Sequence, residues 1–149
     1  MTAAKQASQR RPRQHRMKTS SVVVDYVLEE LFAGRLKSGD RIDLDEVGRE
    51  LDVSRIRELS ERGRHREALV AAEALAVAAP KKRDVLYLVA VNQRCMNLIH
   101  EALETLQRLE ELHPRFSLLY QERGYCYTTL QDAPRAIEAF LRGASCSVV

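Results

Sequence analysis

Residues able to do covalent or metal chemistry are few in this chain and poorly placed for it. The four histidines, His15, His65, His100 and His113, are scattered, and none has a ligand partner at helical spacing. The three cysteines, Cys95, Cys126 and Cys146, form no close-spaced pair. An odd count without a pairing motif argues against both a disulfide framework and a zinc site. The chain contains no glycine-rich phosphate loop and no nucleophile–base arrangement. The expectation is no catalytic residue, no metal and no cofactor: a protein that is not an enzyme. Cys95 and Cys126 fall on expected helices, where a thiol acts as a small buried hydrophobe more readily than as a nucleophile.

Groups suited to recognition are better represented. Residues 1–20 hold six bases, Lys5, Arg10, Arg11, Arg13, Arg16 and Lys18, and no acid. All 21 acids lie in the rest of the chain and outnumber the bases left there, so the net charge of +3 conceals a basic arm on a mildly acidic body. A short basic segment without an apolar pattern is expected to be disordered alone and suits a phosphate backbone; a solubilising tail has the same composition. A mitochondrial presequence would be Arg-rich as well, but amphipathic, and this arm is nearly all polar. It also lacks the apolar core of a secretory signal. No window approaches the roughly 18 uninterrupted apolar residues of a membrane span, so no membrane partner is expected. A reducing cytoplasm is the expected location.

The elements that must carry any binding surface are set by a repeat. Ala68, Ala102 and Ala136 recur at one fixed interval, and Pro80 and Pro114 are separated by the same interval. Glu67-Ala68-Leu69 recurs as Glu101-Ala102-Leu103 and again as Arg135-Ala136-Ile137. A fixed period of this length marks stacked supersecondary units. Helices are expected near 54–62, 66–79, 83–96, 99–112, 115–129 and 133–144. Small residues such as Ala90 with Ala102, or Gly124 with Ala136, let paired helices approach, and proline stops the second helix of a pair.

The pattern resembles the tetratricopeptide repeat, a helix–turn–helix unit of roughly 34 residues. The third copy carries it best, with Tyr120, Gly124 and Tyr127 on one helix and Ala136 and Phe140 on the next. The second copy has Leu86, Ala90, Ala102, Leu106 and Pro114; the first has Gly63, Ala68, Leu75 and Pro80. The resemblance implies an α-solenoid of about three units (roughly 56–80, 81–114 and 115–149). The first helices of those units would line a groove for a protein or peptide ligand. Groove positions would fall on Tyr87, Val91 and Arg94, then Gln121, Tyr125 and Thr128, although Tyr87 and Tyr125 also suit packing between repeats. The lysine–asparagine clamp that some tetratricopeptide domains use for chaperone C-termini is not present. Arg62–Leu69 and His113–Phe116 resemble repeats that precede the catalytic domain in bacterial tetratricopeptide sulfotransferases. Repeat arrays end in a polar cap, whereas Ile137, Phe140 and Leu141 close this one, so self-association through the last unit is a further expectation.

Residues 21–55 carry a different signature. Val23, Val27, Leu28, Leu31 and Phe32 share one helical face, Ser21 is an N-cap candidate and Gly34 a stop. After a turn-rich loop, Asp43 is placed to cap a helix over 44–51; Asp52-Val53-Ser54 then makes a tight turn, with Ser54 capping a third helix. The stretch Gly34–Ile42, with Leu44-Asp45-Glu46-Val47 and Leu51-Asp52-Val53-Ser54-Arg55, resembles the N-terminal part of GntR-family winged-helix regulators. That resemblance implies double-stranded DNA as a partner, contacted by Arg35, Ser54, Arg55 and Arg57. The family's wing has no counterpart here.

The sequence thus predicts an all-α chain: a basic arm (1–20), a partial helix-turn-helix (21–55) and an α-solenoid (56–149). The function expected is a tetratricopeptide interaction module joined to a GntR-type DNA-binding segment, a transcriptional regulator. The alternative is a pure scaffold, or the docking portion of a sulfotransferase, without DNA binding.

Overall fold

The computed structural model describes residues 13–147, with side chains from Ser21 onward, and divides into two compact units, Met1–Gly48 and Arg49–Val149. Seven helices and no strand occur among the described residues, so the chain is all-α. No helix there is long and apolar enough to cross a membrane.

In the first unit, α1 (Arg13–Phe32) starts well before the expected Ser21 and takes up the last part of the basic arm. The rest of that arm, residues 1–12, lies outside the described residues. Past Phe32 the chain closes α1 through Gly34 N–H to Leu31 C=O and Arg35 N–H to Glu30 C=O. The Arg35 guanidinium then grips the Glu30 carboxylate with two bonds of 2.7 Å. Asp43 caps α2 as expected, its Oδ1 accepting from the backbone N–H groups of Asp45 and Glu46.

Helix α2 (Leu44–Glu61) corrects the helix-turn-helix expectation. The tight turn assigned to Asp52-Val53-Ser54 does not form, and the helix runs unbroken through it. Nothing in Leu51-Asp52-Val53-Ser54-Arg55 forces a break, since it contains neither glycine nor proline. Val53 and Ile56, each only 2% exposed, share one core cluster. A turn at Ser54 would carry them to different faces, so burial outweighs the capping tendency of Ser54.

The second unit is a series of helical hairpins in which the sequence period reappears as geometry. Helices α3 (His65–Ala78), α5 (Ile99–Leu112) and α7 (Ala133–Ser147) open at the interval that separates the repeated alanines. The helices before them, α2, α4 (Arg83–Cys95) and α6 (Ser117–Thr129), end at Glu61, Cys95 and Thr129, again at that interval. Each hairpin turns on one residue of positive φ at the same register: Gly63 (76°), Asn97 (63°) and Gln131 (59°). The same pair of bonds follows each of them. Residues 63, 97 and 131 donate three positions back, and residues 64, 98 and 132 donate five back, the Schellman arrangement. Glycine enters the left-handed region freely and asparagine tolerates it, but glutamine there is strained.

Packing follows the same register. Ala68, Ala102 and Ala136 are all buried where paired helices meet. Leu106, Leu109 and Leu119 are fully buried in the second core cluster, each stabilising the fold by about 1.5–3 kcal/mol. One equivalent pair shows how the units trade volume. Ile56 and Ala72 belong to the first core cluster, and Ala90 and Leu106 to the second. In the third unit the pair is Gly124 and Phe140, and a Cβ built on Gly124 would lie 2.5 Å from the Phe140 ring. As one partner shrinks the other grows, as close packing demands. The nearest approach of Gly124 is therefore to Phe140, where the sequence suggested Ala136. Gly143 makes the other close contact, its built Cβ 3.2 Å from Tyr120 Cβ.

Candidate partner-binding surface

Helices α4 and α6 pack on each other as well as on their hairpin partners, so these alternate helices form one continuous surface. The expected groove residues occupy it. From α4, Tyr87 and Val91 are half-buried, and Arg94 reaches across to α6. Arg94 Nε donates to Glu122 Oε2 at 2.6 Å, and the guanidinium lies over the Tyr125 ring at 5.2 Å. Tyr125 in turn meets Phe140 edge-on at 5.5 Å. At the other end, Tyr87 meets Phe116 edge-on at 5.4 Å, and Arg83 lies over Phe116 at 4.7 Å. Gln121, Tyr125 and Thr128 are exposed on α6, with the Thr128 hydroxyl donating to Gly124 C=O. The surface is an aromatic–arginine strip held in place by cation–π and edge-to-face contacts.

The electrostatics of the strip follow from burial. Burial, and then the charge of Glu122, raises the Tyr87 phenol above its ordinary value, while Arg94 and Arg57 oppose them. Burial acts to lower the Arg94 pKa, but the hydrogen bond and the negative charge of Glu122 together outweigh it, and the guanidinium stays charged. Beneath the strip, burial and then Glu122 push the Cys126 thiol up to about 11. Cys126 is thus a core residue, as expected; Cys95 is exposed instead.

Arg57 belongs with this strip. It lies on α2 one repeat before Val91 and two before Tyr125, and its charge is felt at Tyr87. Ser54 and Arg55 are exposed in the middle of α2 and not at a helix N-terminus. They therefore lack the uncapped N–H groups with which a helix start holds phosphate. Arg35, in the first unit, is occupied by Glu30, which hydrogen bonding to Arg35 holds below the usual carboxylate range.

Two polar clusters were not anticipated. Glu110 receives Arg123 at 2.7 Å, Arg142 at 2.9 Å and the Tyr120 hydroxyl at 3.2 Å, tying α5, α6 and α7 together. Burial alone would raise its pKa, but Arg123 and Arg142 outweigh burial and lower it. The cleft beside this cluster is also lined by Arg135, which pairs with Asp132 at 3.5 Å. Its three guanidiniums thus all have carboxylate partners, and the cluster serves as a staple. The second cluster is Asn92, fully buried, whose side chain bonds Leu88 C=O and the His65 ring. Its sequence signal was a polar residue one repeat before the buried Cys126. Glu122, buried on the same face, carried the same kind of signal, a polar residue one repeat after the buried Leu88.

No group of three or more potential metal ligands is present among the described residues. The chain matches no protein-family model and no curated protein sequence. The tetratricopeptide and GntR resemblances accordingly rest on the residues quoted for them.

Proposed function

We propose that this chain is a non-enzymatic helical-repeat binding protein. Within that class, we infer that residues 49–147 form about three tetratricopeptide units in a short α-solenoid. The strip on the first helices of those units then holds an extended or helical peptide from another protein. One observation carries the reading: the contact of Arg94 with Glu122 and Tyr125 joins α4 to α6 at the positions where such repeats present ligand-binding side chains. Tyrosine and arginine are the residue types that dominate interface energetics. Both are preordered here, which lowers the entropy cost of binding.

DNA binding is left out of this reading because one part of its support, the tight turn before Ser54, is replaced by continuous helix. Selection of peptides from a random displayed library against the whole chain tests the proposal. Converging sequences are expected, with Tyr87→Ala and Arg94→Ala each weakening them by at least tenfold, about 1.4 kcal/mol. Peptides that bind these variants as well as the parent chain would overturn it.

A further inference from the structure

Every arginine of the aromatic–arginine strip has a carboxylate partner except one. Arg94 pairs with Glu122 at 2.6 Å and Arg83 with Asp84 at 3.3 Å. Arg57 has neither a hydrogen bond nor an ion pair among the described residues. Its neighbour Glu58 is taken by Arg62 at 2.6 Å, and Glu61, one turn further along α2, does not pair with it. The Arg57 side chain is exposed, but the backbone that carries it is fixed. Val53 and Ile56 of α2 share a core cluster with Val85, Leu88 and Val89 of α4, which holds this part of α2 beside α4. Arg57 therefore offers a guanidinium with unused donors, close enough to Tyr87 for its charge to be felt there.

The repeat places that guanidinium in a series. Arg57, Val91 and Tyr125 hold the same position in three successive repeats, one cationic, one aliphatic and one aromatic. Packed helices lie about 8–10 Å apart. A polyproline II chain advances roughly 3.1 Å per residue with about three residues per turn, so every third side chain returns to one face roughly 9 Å further on. The two spacings agree. A peptide in that form, crossing α2, α4 and α6, sets one side chain at each position.

We propose that the strip selects a peptide with an acidic side chain over Arg57, an aliphatic one about three residues away at Val91, and an apolar one at the exposed ring of Tyr125. This rests on the peptide-binding reading above and adds the chemistry of the ligand to it. A guanidinium and a carboxylate form charge-assisted, paired hydrogen bonds. Arg57 can make them, whereas Arg94 is already neutralised by Glu122. Val91 has no polar group with which to compensate a charged side chain for its lost water.

Parallel selections from a random displayed peptide library, against the full chain, Arg57→Gln and Arg57→Glu, test it. Peptides selected on the parent chain should carry aspartate or glutamate at a fixed place, about three residues from an aliphatic residue. Arg57→Gln should weaken them roughly five- to tenfold and lose the acid preference while keeping the aliphatic one. Exchanging the acid for lysine should restore binding to Arg57→Glu, which separates a lost contact from a lost fold. Converging peptides that need Tyr87 and Arg94 but carry no acid at a fixed place overturn this proposal alone. So does an acid preference that survives Arg57→Gln, or a lysine peptide that Arg57→Glu does not bind. Peptides that fail to converge at all overturn the peptide-binding reading and this proposal with it.

Discussion

The hairpins α4–α5 and α6–α7 follow one plan, and their differences separate what the plan requires from what it tolerates. Both place a small residue on the first helix opposite a larger one on the second, Ala90 with Leu106 and Gly124 with Phe140. Both turn on a left-handed residue, Asn97 and Gln131. The register of the turn and the summed volume of the pair are kept, while the identity of each residue is free. The hairpins also differ in cover: Leu106 is fully buried, and its equivalent Phe140 is 37% exposed.

The largest effects should come from overfilling the tight contacts. Ala102→Leu, at a fully buried site, is expected to cost roughly 1–3 kcal/mol in chemical unfolding, and Ala136→Leu less, beside an open face. Gly124→Ala should cost about the same, roughly 1–3 kcal/mol, because its Cβ meets the Phe140 ring. Adding Phe140→Leu recreates the Ala90–Leu106 pair and should recover most of that loss. A double mutant no more stable than Gly124→Ala would break the volume-trading comparison.

The turn comes next. Gln131→Gly should stabilise the protein by about 1 kcal/mol through relief of left-handed strain, and Asn97→Gly by less. An equal gain at both sites would mean that side chain does not matter at this register.

Titration gives the smaller effects. Glu110 has a lowered folded pKa, so its contribution is present above the ordinary carboxylate range and is lost as pH falls through the folded value. Glu110→Gln should flatten the acid limb of the stability profile. Cys126 has a raised folded pKa, so its contribution is complete below pH 9.0 and disappears as pH rises towards about 11. Cys126→Ser should reduce the fall in stability over that interval. A thiol reagent at neutral pH should label Cys95 well before Cys126.

Much of the fold was legible because it repeats. Three alanines and two prolines at one period located the hairpins, and the expected helices match α3 to α7 closely, apart from the later close of α7 at Ser147. The same register placed Tyr87, Arg94 and Tyr125 on one strip. Local resemblance served less well at Ser54, where Val53 and Ile56 gain more from an unbroken helix than a cap at Ser54 gives back. Partners across the fold were not legible. Arg94 and Glu122 lie on different hairpins, and neither residue's neighbours in the sequence mark the other. Glu110 collects arginines from two further helices in the same way. Such pairs depend on how adjacent hairpins pack, which one chain's periodicity does not encode.

The central claim is that the strip across α4 and α6 receives a peptide. Amide chemical-shift mapping with a library-selected peptide tests it most directly. The account predicts the largest shifts at Tyr87, Val91, Arg94, Gln121 and Tyr125, with residues on the outer face of α7 little changed. Shifts centred on Ile137 and Leu141, with the strip undisturbed, would contradict it.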